Sequence, residues 1–573
     1  MVSRRRWRMD DRCRSSVGDG GEVPMSVPYA APRPRLATTL ADLLLSGASA
    51  HPERPVLLFP DARLTYVELR EKAWRMARAM AALGVAPGDT VGVFMVNAPE
   101  QVIAMFATAM LGATVVPINA RYRASELGFI ATDARLRLII THDRNRDYVD
   151  FAALLHEAFS GLADAVDPFA LVLPAAPELR AIVMFGDARQ GLVGEDALGP
   201  LADLVDDATI ARRCDATAIR SIAAIIYTSG TTARPRGAML THEALVGHWS
   251  AFGRRWGIRP DDVFWVPVPL FHIAAIGPLI ATMAHGAAFL SDVYFDAERA
   301  LEQIEHHRAT LLYPTYPPLT ESLIAHPDMA TRDVSSVRMW LNVAPPDVLR
   351  RMAAAFPQAI QLTTYGSTEG GPVTLTAPEE PFEVRIGTCG RPLGGVEVEV
   401  IDASGDTVPV GTPGEIIYRG PNCFSGYFCD PEKTAATIQP GGWIHTGDVG
   451  KLDADGRLHF LGRVKEMLKV GGENVAPAEV EEYLAGHPAV KLVQVVGIPD
   501  PRLAEVVAAF VELHDGAQAS EEELIAFCRG RIASFKVPRV IRVVTEWPMS
   551  ATKIQRSTLR EALLQELGME VGA

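Results

Sequence analysis

The chain contains few cysteines, and they are scattered along the sequence. Six cysteines are scattered over 573 residues, and none forms the C-x-x-C pair that holds zinc or carries out thiol redox chemistry. The nearest two, Cys423 and Cys429, are most simply interpreted as ordinary residues. A reducing, cytoplasmic setting is the simplest interpretation of this composition.

Positive charge is scarce as well. The sequence has 55 Lys and Arg against 69 Asp and Glu, a formal net charge of −14. Because nucleic acids are bound mainly through clustered Lys and Arg, this balance argues against a nucleic-acid partner. The basic N-terminus lacks the apolar segment of a secretory signal, and we expect residues 1–35 to form a disordered tail.

One long segment without charged residues runs from Val263 to Ser291 and has the length of a membrane span. Pro267, Pro269 and Pro278 would interrupt a helix there and leave backbone groups unpaired in lipid. We therefore expect a buried strand, loop and helix, and no transmembrane segment.

The hydrophobic pattern alternates between helical and strand periods from about residue 36. Leu69 to Met80 and Val102 to Met110 have helical spacing, whereas Val91 to Val96 and Thr114 to Ile118 indicate buried strands. This alternation predicts an α/β fold whose mostly parallel sheets are flanked by helices. The same pattern predicts later strands at Ile222–Ile226, Val263–Val268, Thr310–Tyr313, Val337–Leu341 and Ala359–Leu362.

After about residue 380 the pattern changes to short strands with turn residues, which predicts a β-rich subdomain. Asp455-Gly456 lies between two short apolar runs, which predicts a hairpin turn at this position. From about Val464 a smaller α+β unit follows, and we place a domain boundary near residue 465. Its predicted elements are the helices Ala478–Leu484 and Glu521–Cys528 and the strands Leu492–Val496 and Val506–Val511.

Several predicted strands of the larger part end in polar or glycine-containing clusters. In parallel sheets the ligand lies beyond the carboxyl ends of the strands, so clusters that are distant in sequence can converge on one crevice. The clusters are Tyr227–Gly237, Pro269–His272, Asn342–Pro346 and Tyr365–Gly370.

The first of these clusters, TSGTTARPRG, has the composition of a phosphate-binding loop. Backbone N–H groups of such a turn can form an anion cradle, to which Thr and Ser hydroxyls add donors and Arg236 adds positive charge. It is not a Walker A sequence, because no Lys-Ser or Lys-Thr pair follows Gly237. Taken alone, the segment could also be a solvated connector.

The motifs taken together resemble the adenylate-forming superfamily, which contains acyl-CoA synthetases, adenylation domains of peptide synthetases and beetle luciferases. The resemblance covers the chain from about residue 36 to its end. The motifs that carry it are, in order, TSGTT-x-x-P-R-G at Thr228–Gly237, PLFH at Pro269–His272, YGSTEG at Tyr365–Gly370, GWIHTGD at Gly442–Asp448, GRVKEMLKVGGENVAPAEVE at Gly462–Glu481 and KIQR at Lys553–Arg556.

This resemblance implies an ATP-dependent carboxylate–CoA ligase with an AMP-binding N-terminal domain at 36–465 and a mobile C-terminal domain at 466–573. Such an enzyme adenylates a small carboxylic acid with release of pyrophosphate, and then transfers the acyl group to CoA with release of AMP. The implied cofactors and co-substrates are ATP, Mg²⁺ and CoA. The oligomeric state stays open, with a homo-oligomer as one alternative.

The resemblance also implies roles for individual residues. Glu369 would hold Mg²⁺, Thr368 would contact the α-phosphate, and Tyr365 would lie against adenine. Asp448 would accept hydrogen bonds from the ribose hydroxyls, since a carboxylate offers several acceptor sites. The implied nucleotide-binding residues are Thr228, Ser229, Gly230, Thr231, Thr232, Arg236, Ala344, Tyr365, Gly366, Thr368, Asp448, Arg463 and Lys553.

Lys553 resembles the catalytic lysine of the superfamily, which bridges the attacking carboxylate and the α-phosphate. A compact positive charge suits the negative charge that develops there. The other implied catalytic residues are Thr228, Glu369, His272 and Lys469. In isolation, each of the acidic and basic residues among these candidates could instead be a cap, a turn residue or a surface charge.

The second step is implied by residues near the domain boundary. Glu466 occupies the place of the hinge residue, Lys469 is a candidate for the thioester step, and Gly471 and Gly472 would leave room for the pantetheine arm of CoA. A simple turn is the alternative for these two glycines. The implied acyl pocket contains His272, Asn342 and Val343, and His272 could equally be a core residue.

The sequence departs from the superfamily pattern at several positions. Ala233 replaces a glycine, Arg236 replaces a lysine, and Thr552 replaces the glycine before Lys553. Arginine keeps the charge but presents a planar fork, which changes the geometry of phosphate binding. Ile273 to Gly277 lacks the tryptophan found in many long-chain members, which favours a medium-chain, branched or cyclic acid.

Three alternatives remain at the level of sequence. The chain could adenylate an acid and load it onto a separate carrier protein, or act as an oxygenase of luciferase type. It could also be a non-catalytic nucleotide-binding relative. The joint presence of Glu369, Asp448, Arg463 and Lys553 argues against the non-catalytic alternative.

Overall fold

The computed structural model describes most of the chain beyond the predicted N-terminal tail. The residues described are 37–144, 146, 149–187, 189–228, 235–463, 466–470, 473–475, 477–550 and 553–569. Most of the predicted phosphate loop, both glycines of the predicted CoA path and Thr552 lie outside these ranges.

The helices start at residues that suit helix N-termini. Thr39 and Thr65 form capping boxes with Asp42 and Glu68, so each threonine hydroxyl accepts from a backbone N–H that the helix leaves unpaired. The α-helices are α1 (Leu40–Ala50), α2 (Tyr66–Ala82), α3 (Pro99–Met110), α4 (Ala124–Asp133), α5 (Phe151–Ala158), α6 (Leu198–Asp203), α7 (Asp207–Ala216), α8 (His248–Trp256), α9 (Ile273–Ala284), α10 (Ala297–His306), α11 (Pro317–Ala325), α12 (Pro346–Ala355), α13 (Phe382–Gly387), α14 (Pro431–Thr437), α15 (Pro477–Ala485), α16 (Glu521–Cys528) and α17 (Arg556–Glu566).

The strands of the first part of the chain are short and largely apolar. They are β1 (Pro55–Phe59), β2 (Ala62–Thr65), β3 (Thr90–Phe94), β4 (Thr114–Ile118), β5 (Leu136–His142), β6 (Ala181–Phe185), β7 (Val193–Gly194), β8 (Ile222–Thr228), β9 (Arg236–Thr241), β10 (Val263–Trp265), β11 (Ala288–Leu290), β12 (Leu311–Thr315), β13 (Met339–Asn342) and β14 (Ile360–Leu362).

The later strands follow in chain order. They are β15 (Thr364–Ser367), β16 (Gly371–Leu375), β17 (Arg391–Pro392), β18 (Glu397–Ile401), β19 (Gly414–Arg419), β20 (Ile438–Gln439), β21 (Trp443–Leu452), β22 (Leu458–Arg463), β23 (Leu468–Val470), β24 (Glu473–Val475), β25 (Val490–Asp500), β26 (Ala504–Leu513), β27 (Val540–Val543), β28 (Met549–Ser550) and β29 (Lys553–Ile554).

Two seven-stranded sheets form the larger part of the fold. Their strand orders are β14-β13-β12-β10-β11-β1-β2 and β7-β6-β5-β3-β4-β8-β9. Neighbouring strands are parallel except in the β1–β2 and β8–β9 hairpins. Strands β3, β4 and β6 are buried at every position, as is typical of parallel strands covered on both faces. The predicted α/β fold with mostly parallel sheets is confirmed.

Antiparallel sheets follow in the second part of the chain. Strands β18, β19, β21 and β20 pair in that order, and β22 pairs with β21. The turn between β21 and β22 contains Gly456 at a φ of +74°, a conformation that suits glycine. The predicted hairpin at Asp455-Gly456 and the β-rich subdomain are confirmed. The last sheet has the order β24-β23-β26-β25, with β27 on β26, and carries α15, α16 and α17 in the same segment of chain.

The charge-free segment from Val263 to Ser291 forms the predicted strand and helix, β10 and α9, and then a second strand, β11, that was not predicted. Strand β10 ends at Trp265, earlier than the sequence indicated, because Pro267 has no backbone N–H to donate to a neighbouring strand. None of the helices in the described ranges combines the length and the hydropathy of a membrane span.

Candidate functional site

The ends of the predicted phosphate loop are held by a strand hairpin. Thr228, the last residue of β8, lies opposite Arg236, the first residue of β9. The Nε atom of Arg236 is 3.2 Å from Oδ2 of Asp430, so the substituted arginine is paired at the base of the loop. The loop residues themselves lie outside the described ranges: Ser229, Gly230, Thr231, Thr232, Ala233 and Arg234.

Glu369 is joined to this hairpin through the segment around Tyr427. The Tyr427 hydroxyl donates to Oε1 of Glu369 at 2.8 Å, and the backbone N–H of Phe428 donates to the carbonyl of Gly237 in β9. Burial and the Glu369 charge raise the pKa of Tyr427, so this hydroxyl stays protonated and donates. The structure thus brings the predicted metal-binding carboxylate next to the base of the phosphate loop.

The turn that carries Thr368 and Glu369 requires glycine on both sides. A Cβ atom on Gly366 would stand 2.2 Å from the carbonyl oxygen of Gly371, and one on Gly370 would stand 2.4 Å from the hydroxyl oxygen of Tyr418. Both distances are far below van der Waals contact. The glycines of YGSTEG therefore let β15 and β16 turn tightly, and Thr368 and Glu369 are partly exposed at the tip.

Asp448 is the centre of a second cluster. Its Oδ2 atom accepts a hydrogen bond of 2.7 Å from the Tyr365 hydroxyl, and its Oδ1 atom is 3.4 Å from Nε of Arg463. Register explains the second contact, because Asp448 in β21 lies directly opposite Arg463 in β22. Burial, and then the Asp448 charge, raise the pKa of Tyr365 well above its ordinary value. The structure thus brings together three predicted nucleotide-binding residues.

Phe460, which was not predicted as a site residue, belongs to this cluster. Its ring stacks on that of Tyr365, with 5.9 Å between centroids and 27° between planes. Phe460 is 42% exposed, so an aromatic surface lies open beside Asp448. The only sequence signal was its place in HFLGR, three residues before Arg463.

His272 is the N-cap residue of α9, and its ring lies 4.6 Å from that of Phe271. The PLFH segment is anchored by a residue that sequence reasoning missed. The buried side chain of Asn97 accepts from the backbone N–H of Leu270 at 2.7 Å and donates to the carbonyl of Val268. Asn97 follows the end of β3 by three residues, so the segment after β3 is in contact with the PLFH segment.

Trp249 of α8 lies against α9, the helix that begins after His272. A Cβ atom on Gly277 would stand 2.0 Å from the Trp249 ring, and one on Gly371 would stand 3.5 Å from it. Trp249 is 2% exposed and so fills the space between α9 and the YGSTEG turn. The sequence has no tryptophan in Ile273–Gly277, but the structure brings one there from α8.

Two neighbouring residues of the predicted acyl pocket, Asn342 and Val343, differ in burial. Asn342, the last residue of β13, is fully buried; its Oδ1 accepts from the Thr320 hydroxyl and its Nδ2 donates to Gln361 at 3.2 Å. Val343 is 43% exposed, and Ala344 is partly buried. The amide of Asn342 is therefore occupied by protein partners in this structure.

Glu466 pairs with Arg556 of the KIQR motif. Arg556 also contacts both carboxylate oxygens of Glu481, at 2.8 and 2.9 Å. Burial raises the pKa of Glu481, and the Arg556 charge opposes this. The predicted hinge residue is thus tied to the segment that follows Lys553.

For the two candidate lysines, Lys553 and Lys469, the structure describes only the backbone. Lys553 pairs with Ser550 in the β28–β29 hairpin, and Lys469 pairs with Asn474 between β23 and β24. Their side chains lie outside the part of the structure that is described, as do Gly471 and Gly472.

Comparisons with known proteins give the family. The pattern of the AMP-binding enzyme family matches residues 46–428, and that of the AMP-binding enzyme C-terminal domain matches residues 479–553. A CoA ligase of Mycobacterium tuberculosis, named for a methyl-dioxo-octahydroindenyl propanoyl group, is 36% identical over 516 residues, which cover 89% of this chain and 96% of the relative.

Two further proteins are similar over nearly the whole length. The medium-chain acyl-CoA ligase ACSF2, mitochondrial, of Rattus norvegicus is 30% identical over 544 residues, which cover 92% of this chain and 88% of the relative. The crystal structure of the anthranilate CoA ligase AuaEII in complex with anthranoyl-AMP has a TM-score of 0.80 and 28% identity, and the match covers 93% of this chain and 98% of that chain. These matches confirm the prediction of an acid–thiol ligase of the adenylate-forming type. The chain belongs to the AMP-binding enzyme family.

Proposed function

We propose that this enzyme joins a compact carboxylic acid to CoA, first forming an acyl-adenylate from ATP and then a thioester. The observation that carries the proposal is the cluster around Asp448. A partly buried carboxylate held by Tyr365 and Arg463, beside the exposed Phe460 ring, suits the ribose and base of a nucleotide.

In the adenylation step the acid carboxylate attacks the α-phosphate, which brings two anions together. The site must neutralise this charge and align the two groups. We assign phosphate binding to the loop between Thr228 and Arg236, contact with the α-phosphate to Thr368, ribose binding to Asp448, and stabilisation of the transition state to Lys553.

Glu369 is suited to bind Mg²⁺ together with substrate phosphates. Within the described ranges, no three His, Cys, Asp or Glu side chains form a metal-binding group. Mg²⁺ is commonly held by one or two carboxylates with phosphate oxygens and water, so a single carboxylate fits it. Tyr427 orients this carboxylate by donating to Oε1. When bound, the ion would neutralise phosphate charge during adenylation.

The acid is proposed to be compact, because Trp249 occupies the space between α9 and the YGSTEG turn. Gly277 leaves no room for a side chain beneath that ring. This agrees with the names of the relatives, which refer to a fused-ring propanoyl group and to medium-chain acids. His272 would lie at the acyl end, whereas the side chain of Asn342 is held by protein partners.

The second step is assigned to a mobile C-terminal domain, residues 466–573, that moves about Glu466 relative to residues 36–465. Lys469 and the Gly471-Gly472 pair would then face the acyl-adenylate and admit the pantetheine arm of CoA. Support comes from the separate family match to residues 479–553. The Arg556 contact with Glu466 offers one place where such motion would be controlled.

A cytoplasmic location belongs to the same proposal and rests on the small number of cysteines, none of which lies in a C-x-x-C motif. The rat relative is named as mitochondrial, so cell fractionation of the source organism is the measurement that decides the compartment.

The proposed function is tested by measuring AMP release from ATP across a panel of medium-chain, branched and cyclic acids, with and without CoA. We expect acid-dependent AMP and, with CoA, an equal amount of acyl-CoA. Acid-dependent AMP without any thioester would favour the carrier-protein or oxygenase alternatives. If no acid in the panel supports AMP release, the proposal of a compact acid fails.

A further inference from the structure

A small cavity lies between α3, α9 and the strands β3 and β4. Its walls include Val93, Val115, Met105, Ile276 and Leu279, and the side chains that line it in the described structure are apolar apart from Gln101. The free space admits about one water molecule. A cavity of this kind inside an apolar layer needs no polar side chain for its packing.

Gln101 is the exception, and its amide is unpaired. The residue is 4% exposed, and neither Oε1 nor Nε2 has a hydrogen-bond partner among the described residues. Burying an amide without partners is costly, whereas Leu or Met at this position would be buried at no such cost. The amide therefore fits a polar group that enters the cavity from elsewhere.

The cavity adjoins the segment predicted to bind the acyl group. Leu270 and Ile276 both line it, and they lie on either side of His272 in the chain. The backbone of Leu270 is held by the side chain of Asn97, four residues before Gln101. One short stretch of chain thus positions the PLFH segment and carries the unpaired amide.

We propose that this cavity is the distal end of the acyl pocket and that Gln101 selects acids with a ketone or hydroxyl oxygen remote from the carboxylate. The inference rests on the proposed function, because it requires an acyl group to pass His272. The Nε2 group can donate to a ketone oxygen, and Oε1 can accept from a hydroxyl. The space fits a single oxygen, and the flexible side chain of Met105 lets the wall adjust to the adjoining carbons.

The test compares octanoate with its 5-oxo and 7-oxo derivatives in the full-length enzyme. The ratio of kcat/KM for each oxo acid to that for octanoate is measured by AMP release in the wild type and in Gln101→Leu. We expect the substitution to lower the ratio for at least one oxo acid by about tenfold. This factor corresponds to the loss of one neutral hydrogen bond between the substrate oxygen and an amide that has no other partner. Gln358→Leu makes the same chemical change on the exposed surface and should leave both ratios unchanged.

Unchanged ratios for both oxo acids would overturn the inference, even if Gln101→Leu altered stability, since an amide that only binds a trapped water would behave in that way. Isothermal calorimetry with the same three acids gives the same ratio from binding alone. If AMP release fails with every acid, the proposed function fails, and the calorimetric ratio still decides the role of Gln101. Should Gln101→Leu not fold, Gln101→Met carries the same comparison.

Discussion

Asp448→Asn is expected to remove most of the discrimination between ATP and 2′-deoxy-ATP. Oδ2 of Asp448 already accepts from Tyr365 at 2.7 Å, and Oδ1 lies 3.4 Å from Nε of Arg463. A carboxylate oxygen has two acceptor sites, so each can still accept from one ribose hydroxyl. Asparagine can retain the Tyr365 contact, but it replaces one acceptor with an NH₂ group and removes the charge.

The size of the effect follows from one hydrogen bond to a charged acceptor. Such a bond contributes about 1.5 to 3 kcal/mol, which corresponds to roughly 10- to 150-fold in an equilibrium constant. The side chain of Asp448 is 13% exposed, so screening by solvent is limited. We expect kcat/KM of the wild type for ATP to exceed that for 2′-deoxy-ATP by at least about tenfold, and the two values to lie within about threefold of each other in Asp448→Asn.

The assay is acid-dependent AMP release with each nucleotide at subsaturating concentration. Glu397→Gln is a matched control, because it removes a carboxylate that pairs with Arg419 on the exposed surface of the β18–β19 pair. The control should discriminate as the wild type does. Undiminished discrimination in Asp448→Asn would show that this carboxylate does not contact the ribose, and the reasoning about the cluster would be refuted.

Three further predictions follow from the same structure. Lys553→Ala should abolish acyl-adenylate formation but largely spare thioester formation from a supplied acyl-adenylate; equal loss of both steps would rule out the proposed role. Gly277→Ala should destabilise the protein by about 1 to 3 kcal/mol by overpacking against Trp249, and Trp249→Phe in the same chain should recover part of the loss in urea unfolding; no recovery would contradict the contact. Burial lowers the pKa of His142 to about 4, so its contribution to stability is present above the unfolded value of about 6.5 and is lost as the pH falls toward 4. Protonation of His142 should therefore lower the unfolding free energy by about 1 to 2 kcal/mol between pH 6.5 and 5, and His142→Leu should reduce the measured fall by about that amount; an identical pH dependence in the variant would contradict this role of His142.

The regular elements were largely predictable because burial leaves a clear pattern in the sequence. Strand β4 is where the apolar run predicted it, and α2 contains the whole predicted helical face. The division of the strands between two sheets was not predictable, because strand order depends on packing between distant segments. Strand β9 was missed, since the polar character of TTARPRG concealed the strand that begins at Arg236.

The candidate site was also only partly predictable from the sequence. Tyr365, Asp448 and Arg463 lie together as the motifs indicated. The side chains that orient the site were not found from sequence, because each acts across a long separation in the chain. Tyr427 contacts Glu369 across 58 residues, and the Asn97 contact with Leu270 spans 173. A single aromatic or amide residue in an apolar stretch carries no local signal of such a partner.

Coupling of an acid to CoA through an acyl-adenylate is tested by mass spectrometry of a reaction that contains ATP, Mg²⁺, CoA and an acid from the active part of the panel. We expect acyl-CoA and AMP in equal amounts, and no thioester when ATP is omitted. Acid-dependent AMP with no acyl-CoA at any CoA concentration would show that the chain does not join the acid to CoA.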